Sequence, residues 1–258
     1  MPISKLLFVI LALAQWQGYP TPGIPRTADG KPNLSAPAPR TPDGKPDLSG
    51  IWLSARAKFN VALSLKPGDT IPFQPWAKQV FDERQANNSK DDPSARCLPT
   101  GLTLKPTLVT PFKIVQTPGL MLILHESRTN FRQIFTDGRP LPKVVDWPAW
   151  QGFSVGKWEG DTFVVESIGY DDRTWLDHFG SPHSDQMRLE ERYRRIDPDH
   201  LELTMTLTDP KTYTKPWVGD KITFDRAKVA IFEEICAPSE ESHFNDRIRD
   251  AAVGKSKP

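Results

Sequence analysis

The sequence predicts a mainly β protein: an antiparallel up-and-down β-barrel or strongly curved sheet, with one short helix and a Pro-rich N-terminal strap. The 258 residues include 26 Pro, 8 Trp and 13 Phe, a composition typical of turns and strands more than of helices. Strand-like segments follow one another through short turns, which favours pairing between sequence neighbours. A closed barrel of about eight strands can hold one small ligand, so we expect a barrel-like cavity.

Alternation of apolar and polar residues marks the strands. It is clearest at 200–208, where four apolar side chains alternate with Glu and Thr, as in a half-buried antiparallel strand. The one helix is predicted over 72–89, because two prolines open it and apolar residues follow at helical spacing. Strands are predicted at 50–53, 112–117, 120–126, 130–136, 152–158, 162–169, 186–196 and 200–208, with a last hairpin at 221–225 and 228–235.

The chain divides into four parts. Residues 1–14 have the features of a signal peptide: Lys5, an apolar run too short to span a bilayer, and Ala-Leu-Ala before Gln15. A retained membrane-anchoring helix is the alternative. Residues 15–49 form a Pro-rich leader in which 27–35 and 41–49 are near-copies with an Asp-Gly turn signal, residues 50–238 the barrel-like domain, and residues 239–258 a polar tail.

Charge and cysteine content restrict the function. With 33 basic and 32 acidic residues, the chain lacks the basic surface of a dedicated nucleic-acid binder. The signal-like start predicts a periplasmic or extracellular protein with no membrane span after cleavage. In such an oxidising compartment Cys97 and Cys236 are expected to form a disulfide, the alternative being two separate buried thiols. We expect a small-molecule ligand as partner and make no prediction of oligomeric state.

The segment 166–195 is the predicted functional site, because its loop concentrates titratable groups and one large aromatic. In the strand that follows the loop, Glu191 shares a face with Met187, Leu189 and Tyr193. A carboxylate in an apolar row is costly unless it is paired or used in chemistry. A carboxylate among apolar groups can have its pKa raised, which suits a general acid.

The first hypothesis is a cofactor-independent acid–base enzyme, a hydrolase, lyase or isomerase, acting on a small polar or sugar-like ligand. A His beside carboxylates can act as acid or base near neutral pH. The predicted catalytic residues are Glu191, Glu166, His183 and Asp172. The predicted ligand-binding residues are Trp175, which would stack on the ligand, and Asp171, Arg173, Arg195 and Tyr193.

The same residues fit other hypotheses. In the second hypothesis, the same cavity belongs to a non-enzymatic small-molecule-binding protein of the cell envelope. In the third, a metal-dependent enzyme uses His178 and His183, with Asp177 or Asp185 completing the ligand set. In a purely structural reading, Glu191 forms an ion pair with an Arg and His183 caps a loop. Serine-hydrolase elbows, phosphate-binding loops and dinucleotide fingerprints are absent, so no cofactor is predicted.

Several motifs carry a resemblance. RTPDGKPDLSGIW at 40–52, SVGKWEGDTFVVES at 154–167 and YDDRTWLDHFGSPHS at 170–184 resemble a family of uncharacterised secreted bacterial proteins, as do PSARCLPTG at 93–101, PFKIVQTPG at 111–119 and FRQIFTDGRPLP at 131–142. The resemblance covers most of the chain from residue 40. It implies that the loop 170–184 is a family hallmark, and it implies no activity. The 154–167 hairpin is also similar to those of lipocalin-type, or calycin-like, barrels.

Overall fold

The structure is a computed structural model, and it describes residues 25–31, 33, 35–54, 65–101, 103 and 110–236. These residues contain ten β-strands and one α-helix. The helix is α1 (Pro75–Ala86), with Pro at its first position. The strands are β1 (Gly50–Ser54), β2 (Phe112–Thr117), β3 (Leu120–His125), β4 (Asn130–Phe135), β5 (Phe153–Glu159), β6 (Thr162–Ile168), β7 (Arg188–Arg195), β8 (His200–Thr208), β9 (Trp217–Val218) and β10 (Ile222–Arg226).

Nine of these strands close into a barrel. Strands β1 to β8 pair in sequence order, and β10 pairs with both β8 and β1 to complete the ring. The short strand β9 pairs only with the end of β8 and is not part of the ring. The predicted mainly β barrel with one short helix is therefore confirmed. Each pairing between these strands is antiparallel except β4 with β5, which is parallel.

The parallel pair follows from the strand count. Around a closed ring, antiparallel neighbours must alternate in direction, and an odd number of strands cannot alternate throughout. One parallel pair is therefore required, and the long segment 136–152, which returns the chain to the other end of the barrel, makes it available. The β4–β5 pairing, which we call the seam, joins only Ile134 with Ser154 and Phe135 with Val155.

The inside of the barrel is a packed core. Along most strands, alternate residues point inward and are buried, among them Ile114, Ile134, Phe163, Leu203 and Phe224. The alternation predicted for 200–208 is present along β8, whose four apolar residues are all buried. Packed side chains thus fill the space where the sequence suggested a ligand cavity.

Both near-copies in the leader fold into the same turn. In each, the Gly N–H donates to the Thr carbonyl three residues earlier at 2.9 Å. In each, the Arg Nη1 donates to the carbonyl of that Gly, at 2.7 Å in the first copy and 2.8 Å in the second. The equivalent hydrogen bonds show that the turn conformation is a local property of the Arg-Thr-x-Asp-Gly-Lys-Pro sequence.

The second copy is part of the barrel core, and not only a surface strap. Leu48 is fully buried, and its carbonyl accepts a hydrogen bond from the Trp52 indole N–H at 2.9 Å. The Leu48 N–H donates to the Gln116 side-chain oxygen at 3.0 Å, and Arg195 donates to the Asp47 carbonyl. The leader therefore closes one end of the barrel before β1 begins.

The end of the described chain is fastened by side chains and a disulfide. The predicted strand at 228–235 is wrong, because residues 227–236 form no strand. Instead the Phe232 N–H donates to Glu126, and Glu234 accepts from Arg128 and Thr129, so side chains attach this segment to the 126–129 turn. The predicted disulfide between Cys97 and Cys236 is confirmed, with a Cα–Cα distance of 5.3 Å.

Two predicted segments, the signal peptide at 1–14 and the polar tail at 239–258, lie outside the described residues. Within the described ranges, no helix is both long enough and apolar enough to cross a membrane.

Shortening Leu48 tests whether the second copy belongs to the core. We expect Leu48→Ala to lower the free energy of unfolding by about 2–5 kcal/mol, the usual range for deleting a buried Leu side chain. Urea denaturation followed by tryptophan fluorescence measures the change. Arg40→Ala serves as control, because the Arg40–Asp161 ion pair is exposed and should matter little. Similar small losses in both variants would show that the leader only lies on the surface.

Candidate functional site

A buried ion pair lies beneath the seam. Arg132 extends inward from β4 and Glu191 from β7, and their side chains are 1% and 0% exposed. Arg132 binds both carboxylate oxygens, with Nη1–Oε1 at 2.9 Å and Nη2–Oε2 at 2.5 Å. The bidentate geometry is the strongest that this pair can adopt.

Hydroxyl groups satisfy the rest of the pair. Arg132 donates from Nε to Ser154 Oγ at 3.1 Å and from Nη2 to Ser167 Oγ at 2.7 Å. The Tyr193 hydroxyl donates to Glu191 Oε1 at 2.8 Å. Burial lowers the pKa of Arg132, but the adjacent Glu191 carboxylate outweighs it and holds that pKa above its usual value. Burial and Glu191 both raise the pKa of Tyr193, so its phenol stays a neutral donor.

A cleft of about 540 Å³ opens above this pair, on the outer side of the seam. Beyond Ile134 and Ser154 the two strands separate, and the cleft occupies the gap between them. Its walls are aromatic and its floor includes Arg132 and Ser154. The residues that line it are Pro99, Thr129, Asn130, Phe131, Arg132, Gln133, Phe135, Ala149, Trp150, Gln151, Gly152, Phe153 and Ser154.

Two amide side chains in the cleft wall lack hydrogen-bond partners. Both the oxygen and the nitrogen of the Asn130 side chain are buried and unpaired, and the same holds for Gln151. An unpaired buried polar group costs about 1–3 kcal/mol, so most such groups in native proteins have a partner. The two amides together have two NH2 groups and two carbonyl oxygens, and both residues line the cleft.

The predicted functional loop supports one side of the cleft. The Asp171 N–H donates to the Ala149 carbonyl at 3.1 Å, and the Ala149 N–H donates to the Gly169 carbonyl at 2.9 Å. Gly152 packs so closely on Ile168 and Tyr170 that an added Cβ would lie 2.8 Å from the Ile168 carbonyl oxygen. The 149–152 turn is thereby fixed to the start of the loop.

Two of the predicted binding residues reach the cleft rim. The Arg173 guanidinium lies 4.7 Å from the centre of the Trp150 ring, a cation–π contact. Asp171 binds Arg173, with Oδ1–Nε at 2.9 Å and Oδ2–Nη2 at 2.5 Å, and so holds the guanidinium over the ring. Their predicted contact with ligand is consistent with this position, and stays a prediction.

His183 is buried away from the cleft surface. Its Nε2 lies 2.6 Å from Thr174 Oγ1, and its Nδ1 lies 3.2 Å from the Ser184 carbonyl oxygen. Burial lowers its pKa below the ordinary value, although the Ser184 carbonyl and Asp209 act in the opposite direction. Its ring also contacts Tyr170 edge-on. His183 therefore ties the loop together as a neutral side chain at neutral pH.

The remaining predicted residues are dispersed. Trp175, predicted to stack on the ligand, is buried, and the Arg84 guanidinium of α1 covers its ring at 4.4 Å. Glu166 points out of the barrel near Arg188, at 3.8 Å. Asp172 is exposed, and Arg195 is buried against the leader and the turn after β7. The structure thus brings Glu191 and Tyr193 together, but not Glu191 with Glu166.

The two histidines of the metal hypothesis have other partners. His178 Nδ1 lies 2.7 Å from Asp92 Oδ2, whereas His183 contacts Thr174 and Ser184. No group of three or more His, Cys, Asp or Glu side chains suited to a metal ion occurs in the part of the chain that the structure describes.

Sequence reasoning missed the central Arg and both unpaired amides. The central ion pair of Arg132 with Glu191 joins residues 59 positions apart, so neighbours in the sequence do not indicate it. Asn130 and Gln151 are not distinguished in the sequence from the other amide residues of the chain. The one available signal was the length of the 136–152 connection, which is typical of a parallel pair.

Removing one partner of the buried ion pair should be strongly destabilising. Glu191→Gln leaves the Arg132 charge buried without its counterion, and we expect a loss of about 3–5 kcal/mol in the free energy of unfolding. The double variant Arg132→Met with Glu191→Leu removes both charges and should recover most of that loss. Denaturant unfolding of the three proteins measures the difference. A double variant as unstable as the single one would contradict this account.

His183 should make stability depend on pH. Because its pKa is lowered in the folded state, the unfolded chain binds a proton first as pH falls through about 6.5. The contribution of His183 to the free energy of unfolding therefore decreases as the pH falls below about 6.5, until the pH is below the pKa of the folded state. We expect the stability of His183→Gln to fall less steeply between pH 7 and about 5 than that of the wild type. Parallel slopes in thermal unfolding would contradict this expectation.

Comparisons with known proteins leave the geometry as the basis for a functional proposal. No protein-family model matches the chain, and the search of curated proteins finds no match. The resemblance carried by the motifs and the likeness to lipocalin-type barrels stay predictions.

Proposed function

We propose that this protein is a non-enzymatic binding protein of the cell envelope, and that the seam cleft is its ligand site. The ligand is a small uncharged molecule or segment that combines an apolar face with amide or hydroxyl groups. This is the second of the hypotheses drawn from the sequence, moved from the barrel interior to the barrel wall.

The observation that carries the proposal is the pair of unpartnered amides in an aromatic cleft. Asn130 and Gln151 have four polar side-chain atoms that are buried yet make no hydrogen bond. They lie in a wall that also includes Phe131, Trp150 and Phe153. Ligand sites typically combine apolar and aromatic walls with a few such polar groups, which fix the ligand's orientation.

The charges around the cleft favour a neutral ligand. Arg132 in the floor is already neutralised by Glu191. Next to the cleft, Arg173 is paired with Asp171, and Arg139, whose guanidinium lies over the ring of the lining residue Phe135, is paired with Asp137. An anionic ligand would have to compete with these carboxylates, whereas a neutral ligand leaves every pair intact.

The geometry favours binding over acid–base catalysis. Glu191 is inaccessible, and both of its oxygens are engaged by Arg132. His183 is also buried, and its ring nitrogens contact Thr174 and Ser184 and not Glu191. A general acid or base must come within hydrogen-bond reach of the reacting group, which these two side chains do not offer in the described conformation. The enzyme hypothesis stays a prediction.

Export from the cytoplasm is part of the proposal. The Cys97–Cys236 disulfide is a bond that persists in oxidising compartments. It agrees with the signal-like features of residues 1–14. The proposed location is the periplasm or the extracellular space.

The binding function can be tested by a thermal-shift screen of the mature protein. The panel should contain neutral mono- and oligosaccharides, aromatic amides and short capped peptides. A ligand at about a hundred times its dissociation constant adds roughly 2.7 kcal/mol of stability. We expect hits among neutral compounds, and we expect them to be lost in Asn130→Ala with Gln151→Ala.

Two phenylalanines provide a matched comparison. Phe153 lines the cleft and Phe179 lies elsewhere, and both are 38% exposed. Phe153→Ala should weaken each hit, and Phe179→Ala should leave it unchanged. Absence of any hit, or equal effects of both variants, would refute the seam cleft as a ligand site.

A further inference from the structure

The seam leaves one stretch of strand edge unpaired. β4 runs from Asn130 to Phe135, but β5 pairs only with Ile134 and Phe135. On its other side, β4 pairs with β3 along its whole length. The first four residues of β4 therefore have a strand neighbour on one side only.

The register shows which backbone groups face the gap. The Thr136 N–H donates to the Gly119 carbonyl at 2.9 Å, and these residues lie directly opposite in the continued β3–β4 register. In an antiparallel ladder, hydrogen-bonded positions alternate, so Ile134 and Arg132 direct their backbone groups towards β3. Phe131 and Gln133 consequently direct theirs away from β3, into the gap.

The cleft occupies the place of a missing strand segment. It is bounded by the free edge of β4 on one side and by the 149–153 turn on the other, in line with the barrel wall. Unpaired strand edges are templates for pairing with another chain unless they are covered. Along Asn130 to Gln133, no strand of the described chain pairs with this edge.

We propose that the seam cleft binds an extended peptide segment, which adds to the free edge of β4 as a short strand. The inference rests on the proposed binding function and names its ligand class. In strand addition, main-chain hydrogen bonds supply affinity and alternating side-chain pockets supply specificity. The Phe131 and Gln133 backbone groups would provide the main-chain bonds, and the Asn130 and Gln151 amides would bind peptide groups at the two ends.

The two faces of the barrel wall determine the pattern of the peptide. Side chains that point inward meet Arg132 and Ser154, so small polar residues such as Ser or Thr fit there. Side chains that point outward lie beside Phe131 and Phe153, which are exposed, so apolar residues fit on that side. The segment should be uncharged, because the nearby arginines are already paired with carboxylates.

N-methylation of a peptide tests strand addition directly. The probe is the capped peptide acetyl-Thr-Val-Ser-Val-Thr-amide, titrated against the mature wild-type protein by calorimetry or NMR. In one methylated version, every second residue carries an N-methyl group. In the other version, the remaining residues carry it. Only one set directs its N–H groups towards β4, so we expect one version to bind about tenfold more weakly or worse, and the other to bind like the parent.

A backbone substitution in β4 provides the complementary test. Gln133→Pro and Gln133→Ala both remove the side-chain amide, but only the proline removes the N–H that faces the gap. The β3–β4 ladder does not use that N–H, so the fold should tolerate the change. We expect the peptide to bind about tenfold more weakly to Gln133→Pro than to Gln133→Ala. If Gln133→Pro fails to fold, binding of the methylated peptides to the wild-type protein still tests strand addition.

The outcomes separate this inference from the proposed function. Binding of sugars or aromatic amides without binding of the peptide would refute strand addition and leave the seam cleft as a small-molecule site. Peptide binding that is weakened equally by both methylation patterns would also refute strand addition. No binding by any compound of either panel would refute the proposed function itself.

Discussion

An odd number of strands in a closed ring is the constraint on which this structure depends. Because nine strands cannot alternate in direction around a barrel, one neighbouring pair must be parallel, and here it is β4 with β5. The parallel pair is joined by the long 136–152 connection instead of a tight hairpin. The seam is held by two residue pairs, whereas the antiparallel β7–β8 pair joins eight. The weakest point in the wall is thus a consequence of topology.

The Arg132–Glu191 pair compensates for that weak point. Arg132 starts on β4, binds Ser154 of β5 and Ser167 of β6, and ends on Glu191 of β7, so one side chain links four successive strands from the inside. Where the ladder between β4 and β5 ends, these side-chain hydrogen bonds continue the connection. A buried ion pair adds little net stability over an apolar core, but the four hydrogen bonds of Arg132 specify one arrangement of the strands.

The sequence predicts the fold better than the site because the two depend on different information. Alternation along β8 and the turns between β2 and β3 are local patterns, so strand positions and the barrel class follow from neighbours in the chain. The apolar row around Glu191 correctly marked a buried carboxylate that needs a partner. The identity of that partner could not be read, because Arg132 and Glu191 meet only after the barrel closes. Trp175 illustrates the converse error, since a large aromatic in a polar loop is as well suited to packing under Arg84 as to a ligand.

The position of the polar loop 170–184 in the folded barrel indicates a different role from the one that the sequence predicts. Several of its buried polar groups form hydrogen bonds within the protein, such as Ser181 with Asp177 and Ser184 with Asp209. The four unpaired amide atoms of Asn130 and Gln151 lie instead at the start of β4 and in the 149–152 turn, and the loop holds that turn in position through Ala149. Since ligand contacts require groups that the protein itself leaves unpaired, the loop is better understood as the support of the cleft than as its reactive centre.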